Sequence, residues 1–345
     1  ENILDKNKEQ IVKDMSANSG ARTYLMKKDE AVFVRKVVNK NIEDYEKHVD
    51  ILKRQKHTLR NLNVYRPNLC PKIINCVDNN LEYYIDMEYL EDYQKLSDFD
   101  DSVKKRVLKN IMKDLKDNVY CYSKKLTEQQ SYDFSKAFID EKIIKKLNNF
   151  CVQNDMMKSL ILSDKLYIND KKYKPLKEIF NSSDIHQYFA GELCPVHGDL
   201  TLENILYNVI LDDYKLIDMD GSRLFDAKEL DLGKMSQSII SKYSSWKNLS
   251  CSELVNMIDI KEKSFFVNDE YFYAPDSELQ DELIKQWENI LDETYENVFY
   301  KACFYMSTYF IRFVPFRMQL GKEHGIFALL MATVWLNKII LGEKN

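Results

Sequence analysis

Cys194-Pro-Val-His-Gly-Asp-Leu-Thr-Leu-Glu-Asn-Ile-Leu206, answered by Lys215-Leu-Ile-Asp-Met-Asp-Gly221, is the densest run of chemistry-bearing residues in the chain. Asp199 is followed five residues on by Asn204 and fourteen further by Asp218. Two apolar runs with strand character abut them, Ile205–Ile210 and Tyr214–Met219, separated by Leu211-Asp-Asp213. Alone, an Asp or Asn in such a place caps a turn or a helix. Beside apolar strands, the three polar groups stand at strand ends in a buried region, where an unpaired carboxylate is costly and points to a metal or a catalytic partner.

Phosphoryl transfer uses such a set, because the protein has little covalent work beyond holding metal ions against triphosphate oxygens and orienting an acceptor hydroxyl. A carboxylate at Asp199 suits the base that takes the acceptor proton. An amide oxygen at Asn204 and a carboxylate at Asp218 are hard ligands that suit Mg2+.

Towards the N-terminus, Ala21–Met26 and Ala31–Val38 read as a hairpin around the charged turn Lys27–Glu30, since β-branched and aromatic residues flank it. A helix Asn41–Leu62 follows, then strands Lys72–Val77 and Leu81–Met87 around Asp78-Asn-Asn80. That order makes a small antiparallel sheet with one helix against it. Glu88–Lys95 reads as a linker. Downstream, apolar residues recur at three- and four-residue spacing, and only eight Gly and six Pro punctuate the chain, so helix should dominate. The helical patterns run through Val103–Tyr122 and Phe134–Phe150, then, after a short hairpin between Leu160 and Tyr173, to about Phe189. Beyond Glu229 they end in Glu282–Leu320, with Pro315 marking a kink or break, and Glu323–Leu341. The expected fold is α+β and bilobal: a sheet lobe over 1–87, a hinge over 88–95, and a larger, mainly helical lobe over 96–345 carrying the catalytic loop and acceptor site.

The string His197-Gly-Asp-x-x-x-x-Asn204 with Ile217-Asp218 resembles the catalytic signature of the aminoglycoside phosphotransferases and the related choline and sugar kinases, distant relatives of the protein kinases. The order of elements is similar from about Ser16 onward. The resemblance implies a protein-kinase-like fold with ATP or GTP and Mg2+ as partners. It implies that Asp199 orients or deprotonates the acceptor hydroxyl, that Asn204 binds Mg2+, and that Asp218 bridges Mg2+ to the phosphates. His197 then shapes the loop rather than acting as an acid, and Asp220 adds a metal ligand or holds the loop.

Ser16–Arg22 lies where kinases place a phosphate loop but has a single glycine, Gly20. The phosphate-gripping cation falls at Arg35 or Lys36, which alternation puts on opposite faces of one strand. Val34, two residues before Lys36, leaves room for adenine and favours Lys36, with Glu46 as its ion-pair partner and Glu43 one turn earlier as the next choice. Met87-Glu88-Tyr89-Leu90 stands where the family hangs the adenine edge on backbone groups. Asp231, in Glu229-Leu-Asp-Leu-Gly-Lys234, matches the family's downstream aspartate that braces the catalytic loop, and it borders the acceptor region.

The acceptor is less legible. Arg312-Phe-Val-Pro-Phe-Arg317 offers Arg312 and Arg317 to an anionic substrate such as a sugar phosphate. This string, with Leu230–Ser238, resembles kinase-like proteins associated with bacterial surface-polysaccharide synthesis. The 22 Tyr, with Trp246, Trp287 and Trp335, offer a choline cage instead, although helical spacing makes most of them core. Three classes stay open: a kinase of a small sugar or choline-like alcohol, an aminoglycoside antibiotic phosphotransferase, and a non-catalytic nucleotide-binding scaffold. A net charge of -5 gives no basic field for nucleic acid. Seven scattered cysteines without C-x-x-C pairs read as buried reduced thiols, no run reaches the roughly 18 apolar residues of a membrane span, and the N-terminus lacks a signal-peptide core, so a cytoplasmic protein is expected. The chain begins at Glu1 rather than Met, and its oligomeric state is not legible.

Overall fold

The computed structural model describes residues 9–16, 21–220, 224–258, 265–267 and 277–342. The chain forms two compact units, one from Glu1–Phe99 with Pro195–Phe225 and the other from Asp100–Cys194 with Asp226–Asn345. The units do not follow a single cut along the chain, because Pro195–Phe225, the segment with the polar motif, groups with Glu1–Phe99.

The first unit holds a five-stranded antiparallel sheet in the order β1-β2-β3-β5-β4, built from β1 (Gln10–Asp14), β2 (Arg22–Lys28), β3 (Ala31–Asn39), β4 (Ile73–Asp78) and β5 (Glu82–Glu88). The β2–β3 hairpin pairs Arg22 with Val37 and Lys28 with Ala31, and Asp29 turns the chain at φ 55°. Asp tolerates that left-handed backbone better than a β-branched residue does. Helix α1 (Tyr45–Tyr65) buries Val49 and Leu52 on the sheet face that carries Val38, Tyr83 and Ile85. Each such side chain contributes about 1.5–3 kcal/mol on leaving water. Arg66-Pro67 then stops the helix, as the residue before a proline is driven out of the helical region. Strand β1 was not anticipated. Its sequence is QIVKD and all five residues are exposed, so it lacks the alternation that marks a half-buried strand.

The motif hairpin pairs Ile205–Asn208 with Asp213–Leu216, and Leu206 and Tyr207 pair in turn with Lys95 and Gln94. The Leu216 N–H donates to the Leu69 carbonyl at 2.9 Å, tying the hairpin to the segment behind α1. These bonds explain why the motif belongs to the first unit.

The second unit is mainly helical: α2 (Asp101–Leu115), α3 (Glu128–Phe138), α4 (Lys145–Gln153), α5 (Asp155–Leu162), α6 (Leu176–Asn181), α7 (Glu229–Ile239), α8 (Tyr243–Trp246), α9 (Cys251–Met257), α10 (Glu278–Leu291), α11 (Tyr295–Met318) and α12 (Lys322–Leu341). A wider π turn, Ile139–Ile144, links α3 to α4. The pattern expected as one helix over Glu282–Leu320 is two, because Asp292 leaves α10 at φ 56° and Thr294 caps α11 by accepting from the Asn297 N–H. Pro315 does not break α11, which continues to Met318. Helix α11 packs on α7 and α12. Gly233 permits the first contact, since a Cβ there would lie 2.5 Å from the Tyr305 Cβ. Helix α12 is long and apolar enough to cross a membrane by length and composition, contrary to expectation, yet 89% of its apolar stretch is buried inside the protein. Trp246, Trp287 and Trp335 are also core residues. All seven cysteines are free; Cys70, Cys194 and Cys303 are buried, whereas Cys121 is exposed.

Candidate active site

The motif loop is built on a buried imidazole. His197 is 2% exposed. Its Nδ1 accepts the Asp199 N–H at 3.2 Å, so Nε2 carries the proton and donates to the Ile217 carbonyl at 2.9 Å. The network thus selects the neutral Nε2–H tautomer. Two backbone bonds run parallel to it, Asp220 N–H to the His197 carbonyl and Ile217 N–H to the Asn204 carbonyl, each 3.0 Å. The loop and the segment 217–220 are therefore tied together at three points. Gly198 makes the approach possible: its φ is +81°, and a Cβ there would stand 2.9 Å from the Asp220 Cβ.

Asn204 turns its Nδ2 towards Asp199, donating to the backbone carbonyl at 2.8 Å and to Oδ2 at 3.1 Å. Its amide oxygen is left as the acceptor that faces no protein donor among the described residues. Asp218 adopts φ 56°, a left-handed conformation that costs on the order of 1–3 kcal/mol unless the surroundings impose it. Its carboxylate forms an ion pair with the Lys36 ammonium. Desolvation works against the charged carboxylate, but the charge and hydrogen bond of Lys36, with Lys95 further off, outweigh it and hold the Asp218 carboxyl below its ordinary range.

The two adjacent cations of β3 thus have different employment. Arg35 bonds Asp86 through Nε at 2.6 Å and through its terminal nitrogen at 2.9 Å, reaches Glu9 at 2.8 Å, and lies 3.8 Å from the centroid of Tyr84. Burial disfavours its charge, yet Asp86 and Glu9 more than offset this and raise the guanidinium pKa above its ordinary value. Lys36 does not pair with Glu46, which stands exposed in the first turn of α1, as does Glu43 just before it. Its partner is Asp218, 182 residues away, a distance at which no local pattern can announce a contact.

Met87 is buried opposite Val34. Glu88 is fastened to Lys72 by two bonds, its N–H to the Lys72 carbonyl at 2.9 Å and its Oε2 to the Lys72 N–H at 3.1 Å. Tyr89 is exposed, and the Leu90 carbonyl accepts the Tyr93 N–H at 3.4 Å. Gly20 lies outside the described residues. In the second unit, Asp231 is buried on α7 and accepts the Tyr120 hydroxyl at 2.9 Å. Arg317 is also buried, donating to the Lys247 carbonyl at 2.6 Å and meeting His324 Nδ1 at 2.9 Å. It is therefore spent on the helical core rather than offered with Arg312 to a shared ligand. Glu9 and Asp86 were missed as partners of Arg35, and only the alternation of β5 opposite β3 hints at Asp86.

Among the described residues no group of three or more His, Cys, Asp or Glu side chains is gathered for a metal ion. The donors that fit Mg2+ are fewer and of the oxygen type: the Asn204 amide oxygen, Asp218 and Asp220. Sparse protein ligation suits Mg2+, which takes one or two carboxylates and completes its shell with phosphates and water.

No family model matches the sequence, and no curated protein matches it. Solved structures do. A protein assigned as a fructosamine-3-kinase from Haemophilus somnus 129PT superposes with a TM-score of 0.53 at 13% identity, over 96% of this chain and 92% of that one. The chain has a protein-kinase-like fold. Weaker superpositions are found with an aminoglycoside-3'-phosphotransferase of type VIII (TM-score 0.42, 11% identity, 96% of this chain and 94% of that one) and with aminoglycoside phosphotransferase APH(3'')-Id from Streptomyces rimosus ATCC10970 (0.40, 12%, 82% and 93%).

Proposed function

We propose that this chain is a Mg2+-dependent small-molecule kinase, transferring the γ-phosphate of ATP or GTP to a hydroxyl of a small metabolite such as a sugar or a choline-like alcohol. The reading rests on one observation above the rest. Lys36 of β3 meets Asp218 beside a loop in which Asn204 holds Asp199 in place.

Asp199 accepts the proton as the acceptor oxygen bonds to the γ-phosphorus and the bond to the β-phosphate oxygen breaks, releasing the nucleoside diphosphate. Asn204, by holding both the carbonyl and Oδ2 of Asp199, fixes the direction of that carboxylate. The Asn204 amide oxygen, Asp218 and Asp220 would hold Mg2+, which when bound neutralises charge on the triphosphate. Lys36, now paired with Asp218, passes to the phosphates as nucleotide enters, and backbone groups of Met87–Leu90 take the adenine edge.

A thermal-shift titration with ATP and GTP, with and without Mg2+, tests the nucleotide site, and a phosphate-transfer screen over cholines, sugars, sugar phosphates and aminoglycosides tests the acceptor. Stabilisation that requires Mg2+ is expected. Asp199→Asn should lower turnover by about 10^2–10^4-fold with nucleotide affinity kept. Full activity in that variant excludes Asp199 as base, and absence of any nucleotide effect removes the kinase reading, whereas nucleotide binding without transfer to any acceptor favours the scaffold.

A further inference from the structure

The second unit gathers cations that the proposed transfer does not use. Tyr309 of α11 is buried, and two cations lie against its ring: the Lys234 ammonium from α7 at 4.4 Å from the centroid and the Arg312 guanidinium at 4.8 Å. The π turn that carries Lys142 and helix α4, which carries Lys146, both pack on α11. Lys146 is half-buried. Burial, then the charges of Arg312 and Lys142, push its pKa down, and no carboxylate acts against them. Among the described residues neither Lys146 nor Arg312 has an ion-pair partner.

A cation taken partly out of water, beside like charges and without a counterion, is destabilising. It is also what an unliganded oxyanion site looks like, with a planar guanidinium fork and ammonium point charges converging on one locus. The chain as a whole is acidic, at -5, so the cluster is not a sample of a generally basic surface. We propose that Lys234 and Arg312 on the ring of Tyr309, with Lys146 and Lys142 from the elements packed on the same helix, form a binding site for a phosphate group. The ligand is either inorganic phosphate or the phosphate of a phosphomonoester. The site stands apart from the kinase reading, since it binds an oxyanion whether or not phosphoryl transfer occurs.

The test is a thermal-shift and calorimetric titration of the full chain with inorganic phosphate and with glucose 6-phosphate, against glucose and sodium chloride at matched ionic strength. Both phosphates should stabilise beyond the salt control, and tighter binding of the sugar phosphate identifies a phosphomonoester site, whereas equal binding identifies free phosphate. Lys146→Gln should raise the melting temperature of the unliganded protein, because it relieves repulsion, and weaken phosphate binding about tenfold or more. Lys142→Gln, at an exposed position, should weaken binding without affecting folding. Phosphate stabilisation no greater than that of sodium chloride overturns the proposal, and so does undiminished binding in Lys142→Gln and Lys146→Gln together.

Discussion

At the residue scale, the imidazole of His197 connects what the loop offers to what the following strand offers. Truncation by His197→Ala leaves the Asp199 N–H and the Ile217 carbonyl without their shared partner in a partly buried place. Each orphaned group costs about 1–3 kcal/mol, so a loss of about 2–6 kcal/mol is expected in urea denaturation. Lys36 gives a pH signature. The Asp218 carboxyl is held below its ordinary range, so the ion pair stabilises the protein above an unfolded carboxylate value near 4 and is lost as pH falls through the lower folded value. Lys36→Met should flatten that acid limb in an unfolding series from pH 6 to pH 2, and an unchanged limb removes the pair as its cause. That Asp199, Asn204 and Asp218 lie near one another was legible in sequence, because one loop and the hairpin that follows it carry all three. The choice between Arg35 and Lys36 was not, since Glu9, Asp86 and Asp218 reach β3 from distant parts of the chain.

At the element scale, helix periodicity located most helices of the second unit but missed α5 and the helix ends. Asp292 and Thr294 separate α10 from α11 by backbone conformation and capping, signals that a long apolar pattern masks. Strand β1 escaped for the opposite reason, being an edge strand with no buried face. Gly233 carries the prediction of this scale. In Gly233→Ala the new Cβ would stand 2.5 Å from the Tyr305 Cβ and 2.8 Å from its backbone carbon, neither of which is a flexible side-chain end. Helices α7 and α11 must separate, at a cost of about 1–3 kcal/mol, read as a lower melting temperature. Unaltered stability means that the two helices have slack along this contact.

At the scale of the whole molecule, two interleaved units carry two proposed ligand sites, and hydrogen exchange can tell them apart. Nucleotide with Mg2+ should protect most strongly the segments 31–39, 86–90 and 197–220. Phosphate should protect most strongly 139–146 and 305–312. Strongest protection by phosphate in 31–39 or 197–220 assigns the anion to the nucleotide site instead.

The interleaving also bears on how the protein is made. Glu1–Phe99 cannot complete its unit until Pro195–Phe225 has been synthesised, because Leu69, Gln94, Lys95 and Lys36 all await partners from that segment. At about 5–20 residues per second, translation of the intervening chain takes on the order of ten seconds. For that interval the five-stranded sheet and α1 lack the hairpin that completes their unit, so the first unit, begun earlier, is finished only after much of the second has been translated.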